Sequence, residues 1–251
     1  MCSASAARTP SRWRDAVPLS IAFRIETFDS LPSTQAEARA RLERGEDVDG
    51  LVVRALEQTQ GRGRRGRHWL SAPGGSYQTL CVRDAQPPRL GAGASAIAVA
   101  VGLAGTLAVY GVKVTIKWPN DLLYRGRKLA GILTEYRRGH LLVGVGMNVA
   151  NEPLPEDAAA LRGWDLEGVH GVVLEGVQRG LDGWWDDAAG LAARFAAFDA
   201  LARRAVRIDT PEGAVEGTAV GLDPQGGLLV NTGERVTHVR SGTVRAYARG
   251  A

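Results

Sequence analysis

Residues Gly91–Tyr110, GAGASAIAVAVGLAGTLAVY, run for twenty positions without a formal charge, and any fold of this chain has to bury them. That is the length of a bilayer-spanning helix. The stretch is rich in Gly and Ala and diluted by Ser95 and Thr106, so it predicts a helix buried in a core rather than a membrane span. The rest of the chain supplies the core. It has 251 residues, 45% hydrophobic and 23% charged, enough for one large domain, or a large and a small one.

The opening MCSASAARTPSRWRDAVPLS carries charges throughout and has no continuous apolar run, so residues 1–20 read as a tail and not a secretory signal. Two cysteines, Cys2 and Cys81, make no disulfide framework, which fits a reducing, cytoplasmic home. The formal charge of +4 is modest and Arg is spread from Arg8 to Arg249, so local clusters carry more meaning than the total.

Ile21, Phe23 and Ile25 alternate as in a strand, and Thr34 with Glu37 forms a capping-box pattern opening an Ala-rich helix that ends near Gly45. Strands follow around Leu51–Leu56 and Ser76–Val82. Beyond the buried helix, VTIKW reads as a strand stopped by Pro119, and a return through Arg125, Gly126 and Arg127 leads into KLAGILTEY and then LLVGVGMNV, a run of antiparallel hairpins. A Pro/Glu/Ala-rich connector reaches about Gly163. Helical patterns then cover Val172–Trp185 and Leu191–Ala205, with Trp184, Trp185, Phe195 and Phe198 as core candidates. From Val206, short strand-like runs separated by DTPEG, LDPQGG and NTGE suit a small all-β barrel, which places a domain boundary near Ala205.

Three segments carry chemistry. In EQTQGRGRRGRHWLSAPGGSY, residues 57–77, glycines alternate with arginines, so backbone amides and guanidinium forks can both approach an anion. The pattern is neither a Walker loop nor a dinucleotide fingerprint. An RG-type nucleic-acid tract or a solvated loop would have the same spacing. In KWPNDLLYRGRKLAGILTE, residues 117–135, Asp121 and Lys128 stand on neighbouring strands, where they can serve an amine and a carboxylate. An Asn-Asp turn with an ordinary surface Lys is the plainer alternative. In VGVGMNV, residues 143–149, the glycines of a central strand admit a ligand or close packing. The four histidines, His68, His140, His170 and His238, have no zinc-ligand spacing.

Together, in this order and spacing, GRGRRGRHW, KWPND with its following Lys and GIL, and GVGMN resemble the biotin protein ligase family over roughly residues 21–245. LPSTQ extends the resemblance upstream, with Gln35 where the family usually has Asn. The resemblance implies an α+β fold: a mixed, largely antiparallel sheet with helices, of the class II synthetase and biotin–lipoate ligase type, over residues 21–205. A small SH3-like barrel would follow over 206–251.

It also implies ATP-dependent biotinylation of a lysine on a biotin carboxyl carrier protein of acetyl-CoA carboxylase or a related carboxylase, through biotinyl-5'-AMP. Ser33, Thr34, Gln35, Gln58, Gly61, Arg62, Gly63, Arg64, Trp69 and Lys128 would bind biotin. Arg62, Arg64, Arg65, Arg67, Asn120, Lys128 and Asn148 would hold ATP and the adenylate. Lys128, Arg62, Arg64 and Asp121 would be catalytic. Mg²⁺ would be held mainly by the phosphates, with Asp121 as the one candidate protein ligand. About twenty residues precede the first strand, so the expected form lacks the N-terminal DNA-binding domain that some members carry. No DNA or membrane partner is expected, and exposed strand edges leave room for a homodimer. Two rivals remain: a lipoate ligase or octanoyltransferase, which lacks the GRGRRGR and KWPND pairing, and a non-catalytic RG-loop nucleic-acid binder, for which only His68, Trp69 and Tyr77 supply nearby rings.

Overall fold

The computed structural model describes residues 22–83 and 91–247. The N-terminal tail, Cys2 and Ile21 lie outside the described residues. Seven strands form one sheet in the order β1-β2-β3-β7-β6-β5-β4. β1 (Arg24–Leu31) and β2 (Leu51–Gln58) are parallel, joined over one face by α1 (Thr34–Glu43). β3 (Ser76–Arg83), β4 (Val114–Lys117), β5 (Asp121–Tyr124), β6 (Arg127–Arg137) and β7 (His140–Met147) add only antiparallel pairings. The expected mixed, largely antiparallel sheet is what the chain builds.

Between β3 and β4 comes α2 (Gly91–Val109), which packs with α3 (Leu166–Asp186) against the other face of the sheet. The glycines that argued against a membrane span have a use here. A Cβ at Gly102 would overlap the carbonyl oxygen of Gly176 and the amide of Gly180, and one at Gly180 would overlap the carbonyl of Ala98. The two helices therefore meet backbone to backbone. No helix among the described residues is long and apolar enough to cross a membrane. Because the clashing atoms are backbone and cannot rotate away, Gly102→Val is expected to cost about 3 kcal/mol, at the upper end of core overpacking. The midpoint of urea denaturation measures it, and a loss under about 1 kcal/mol would show that the crossing can open.

Three local expectations need correction. The N-cap of α1 is Ser33, whose side chain accepts a hydrogen bond from the Ala36 amide at 3.4 Å, so the capping position lies one residue before Thr34. Thr34 cannot cap because its hydroxyl is drawn to Gln58 at 3.2 Å. The last helix, α4 (Leu191–Ala196), stops well before Ala205. The chain beyond it docks on β4 instead, with the Ile116 amide donating to the Phe198 carbonyl at 2.7 Å and the Ala200 amide donating to the Ile116 carbonyl at 3.0 Å. Of the proposed core aromatics, Trp184 and Phe195 are buried and Phe198 is partly so, but Trp185 is 42% exposed on the outer side of α3.

A polar band also lies beneath α3. Ser76 and Gln78 point from β3 towards this helix, and both are fully buried. Ser76 Oγ is 2.9 Å from His170 Nδ1, and Gln78 Nε2 donates to Ser76 Oγ at 3.0 Å and to the His170 carbonyl at 3.3 Å. Arg54 donates to Gln78 Oε1 at 3.4 Å and pairs with Glu167 at 3.2 Å.

After α4, five short antiparallel strands, β8 (Ala205–Thr210), β9 (Gly213–Leu222), β10 (Leu228–Asn231), β11 (Val236–Val239) and β12 (Thr243–Tyr247), form the second sheet of the SH3-like module, in the order β11-β10-β9-β8-β12. Its LDPQGG turn reaches the large sheet. The Gly226 carbonyl accepts the indole N–H of the buried Trp118 at 3.0 Å, and Gly226, at φ +81, sits so close that a Cβ would lie 3.0 Å from Ala94 Cα.

Candidate active site

The α1 face of the sheet carries a cavity whose floor is made low by glycine. Thr79, Gly144 and Leu133 lie abreast on β3, β7 and β6, and Tyr77, Gly146 and Gly131 form the next row. A Cβ at Gly146 would lie 2.6 Å from Trp69 Nε1, one at Gly131 3.1 Å from Trp69 Cζ3, and one at Gly144 2.6 Å from Gln35 Oε1. The strand glycines thus admit Trp69 and Gln35 in close packing, and both side chains line the cavity.

The Gly/Arg segment folds back as a loop closed by the pairs Gln58–Ser71 and Arg62–His68. Its tip is a single 3-10 turn, Arg64–Gly66, in which Arg65 is left-handed at φ +57. The reversal divides the arginines. Arg62, Arg64 and Arg67 line the cavity, whereas Arg65 points away and donates to the Asp209 carbonyl of the second sheet at 3.4 Å. Burial holds the Arg64 guanidinium below its ordinary pKa, Arg65 and Arg67 add to this, and Asp121 opposes it.

At the opposite wall, the hairpin β5–β6 brings Lys128 Nζ to 2.8 Å from Asp121 Oδ1 and 5.1 Å from the centroid of Trp69. The backbone of Lys128 is pinned on its free side by the connector, its amide donating to the Asp157 carbonyl at 2.9 Å and its carbonyl accepting from the Ala159 amide at 2.8 Å. Burial lowers the pKa of the neighbouring Lys117 ammonium; Asp121 opposes this, and Lys128 and Arg67 add to it. Lys128, Lys117 and Arg64 thus converge about Asp121. Such a wall favours an anion, and favours one that gains charge still more.

The far end is polar without charge. The Thr34 amide and hydroxyl both donate to Gln58 Oε1, at 2.8 and 3.2 Å, and Gln58 Nε2 donates to Ser71 Oγ at 2.8 Å. Ser33, Thr34 and Gln35 are buried there at the start of α1. A ligand with a neutral hydrogen-bonding head and an anionic tail, lying along Trp69, would match the two ends.

Of the residues singled out by sequence, the cavity gathers Ser33, Thr34, Gln35, Gln58, Arg62, Gly63, Arg64, Arg67, Trp69, Asn120 and Lys128, with Asp121 on Lys128. Three it does not gather. Arg65 faces the second sheet. Gly61 closes the base of the loop, its carbonyl accepting from the Trp69 amide at 2.9 Å. Asn148 is buried off the cavity, where its Nδ2 donates to the Ala159 carbonyl at 3.1 Å and its Oδ1 accepts from Asn151 at 3.2 Å, so its amide holds the connector. Asn120 lines the wall, but its Nδ2 is already given to the Ile132 carbonyl at 2.8 Å. Sequence reasoning missed Thr79 and His68, which line the cavity, and Ser71, which orients Gln58. The available signal for Thr79 was its alternation with Tyr77 and Cys81 in β3, which sets its hydroxyl on the face opposite Ser76 and Gln78.

Comparison with known proteins agrees with this geometry. Residues 27–150 match the Biotin/lipoate A/B protein ligase family, and residues 204–245 match the Biotin protein ligase C terminal domain. The Biotin--[acetyl-CoA-carboxylase] ligase of Mycobacterium tuberculosis is 35% identical over 225 residues, covering 84% of this chain and 85% of the relative. The bifunctional ligase/repressor BirA of Bacillus subtilis is 30% identical over 234 residues, covering 86% and 72%. Among solved structures, the biotin protein ligase from Aquifex aeolicus in complex with biotin and ATP aligns with a TM-score of 0.74 at 26% identity, covering 90% of this chain and 99% of that one.

Proposed function

The chain belongs to the biotin protein ligase family, and from that premise we propose how its cavity carries out the ATP-dependent biotinylation of a carrier-protein lysine. Biotin is a neutral bicyclic urea on a short chain ending in a carboxylate, which suits a cavity neutral at Ser33, Thr34 and Gln58 and cationic at Lys128 and Arg64. Trp69 covers the chain between them. The observation that carries this reading is the placing of both ends in one cavity, with Lys128 and Asp121 at 2.8 Å on the cationic wall.

A carboxylate is a poor acyl electrophile, so it is first activated. Its oxygen attacks the α-phosphorus of ATP, the bond to the β-phosphate breaks, and pyrophosphate leaves with the electron pair to give biotinyl-5'-AMP. Mg²⁺ would be held mainly by the phosphates of ATP, with Asp121 as the candidate protein ligand, and would share the charge of the triphosphate. Lys128 sits where the carboxylate and α-phosphate meet and offsets the charge developing there, while Arg62, Arg64 and Arg67 hold the phosphates from the loop. In the second step the acceptor lysine's amine attacks the mixed anhydride and AMP departs. Asp121 orients that amine and takes its proton.

We assign this chemistry to residues 21–205 and a supporting role to residues 206–251, which approach the cavity through the Gly226 and Asp209 carbonyls. Asn148 and Arg65 support the site from outside it. The outer edge of β6 beyond the β5 pairing suits a second copy laid side by side. To test the reading, the protein is incubated with ATP, Mg²⁺, biotin and a biotin carboxyl carrier domain, and the carrier's mass is followed. One biotinyl group should appear on the acceptor lysine and none on its Lys→Arg variant. Modification with lipoate in place of biotin would assign the chain the sister chemistry instead.

A further inference from the structure

The hydrogen count at the neutral end leaves one step unexplained. A carbonyl oxygen has two lone pairs, and both of those on Gln58 Oε1 are taken by Thr34, at 2.8 Å from its amide and 3.2 Å from its hydroxyl. Gln58 Nε2 spends one hydrogen on Ser71 and has one left for the cavity, and Ser33 Oγ still has its own hydrogen after accepting from Ala36. Those two donors suit the oxygen of a urea. The N–H groups of a urea need an acceptor instead, and the hydroxyl oxygen that can serve them is Thr34 Oγ1.

Behind Thr34 stands Thr79, fully buried, whose single hydroxyl hydrogen faces two acceptors: Thr34 Oγ1 at 2.9 Å and Gln35 Oε1 at 3.2 Å. Gln35 is fixed for this. Its oxygen rests where a Cβ of Gly144 would otherwise stand, and its Nε2 faces the Leu142 carbonyl at 3.5 Å.

Resting on the reading above, we propose that Thr79, backed by Gln35, is a positioning residue for biotin. Its hydrogen occupies one lone pair of Thr34 Oγ1, with Gln35 Oε1 beside it, and the second lone pair of Thr34 Oγ1 is left for a ureido N–H. Gln35 acts through Thr79, whose hydroxyl it helps to orient. The longer side chain at this position is what reaches Thr79 across the glycine. The chain Thr79, Thr34, Gln58 also keeps the Thr34 hydrogen turned towards Gln58, so the oxygen offered to the ligand is always an acceptor.

The test is steady-state kinetics of biotin-dependent pyrophosphate release for wild type, Thr79→Val, Thr79→Ser and Gln35→Leu. Thr79→Val keeps the shape and removes the hydrogen; it should raise the KM for biotin about ten-fold, the effect of one buried hydrogen bond at the ligand, with kcat and the KM for ATP unchanged within about two-fold. Thr79→Ser should restore the wild-type KM, and Gln35→Leu should raise it in the same direction. Desthiobiotin, which keeps the urea, should suffer the same fold-change. A KM for biotin that stays within about two-fold in Thr79→Val, a parallel rise in the KM for ATP, or failure of Thr79→Ser to restore it overturns the proposal. Should Thr79→Val not fold, an unchanged KM in Gln35→Leu overturns it alone. Absence of biotin-dependent release in the wild type would instead bring down the reading of the reaction.

Discussion

Lys128→Ala is expected to lower biotin-dependent pyrophosphate release by about 10² to 10³-fold, the loss seen when one preorganised charge-stabilising group is removed from a reacting centre. The side chain is 29% exposed and packs on Trp69 with its ammonium 5.1 Å from the ring centroid, so its removal leaves no sealed cavity and the fold should survive. In the proposed role Lys128 opposes charge that is greatest in the transition state, so the effect should fall on kcat. An alternative is that Lys128 merely restrains Asp121. The double variant Lys128→Ala, Asp121→Asn separates the two: if restraint were the whole role, releasing the carboxylate's charge would restore adenylation. Retention of more than about a tenth of wild-type release in Lys128→Ala would remove it from the chemistry.

Acid should destabilise this protein through His170. The imidazole is 1% exposed under α3, and burial, with Arg54 adding to it, drives its pKa from 6.5 down to about 3. The folded state therefore keeps His170 neutral where the unfolded chain has already taken a proton. Above pH 6.5 neither state is charged and nothing is lost. As pH falls from 6.5 towards 3 the unfolded state binds the extra proton, and stability drops by roughly 4 to 5 kcal/mol over the window. His170→Asn removes the titration and leaves an acceptor near Ser76 Oγ, which now stands 2.9 Å from the ring nitrogen. Urea midpoints measured between pH 7 and 4 should fall steeply for wild type and much less for His170→Asn. Equal slopes would mean that His170 charges in place.

What could be read from the residues was what local chemistry dictates. Gly/Arg alternation, Pro119 after a strand, and the Arg125–Gly126 return all act through their own backbone, so the loop, the β5–β6 hairpin and the cavity they enclose were foreseeable. So was the burial of α2, although its contact with the Gly176 and Gly180 backbone was not, because two helices distant in sequence have to meet first. Errors arose wherever a distant partner outbid a local one. Thr34 lost the cap to Ser33 because Gln58, 24 residues on, takes its hydroxyl. α4 ends early because β4 captures Phe198 and Ala200. Asn148 follows a glycine strand that does line the cavity, but the connector at Ala159 claims its amide. Thr79 was not legible because β3 also carries Ser76 and Gln78, and which of its polar side chains meets a ligand is decided only when α1 is laid across one face and α3 across the other.

The most direct test of the account is pyrophosphate release from Mg-ATP by the wild-type protein without any acceptor, on adding biotin, lipoate or octanoate in turn. A burst with biotin alone, with biotinyl-5'-AMP recovered from the protein, is the predicted result. Release with lipoate or octanoate but not with biotin, or no release with any of the three, would contradict it.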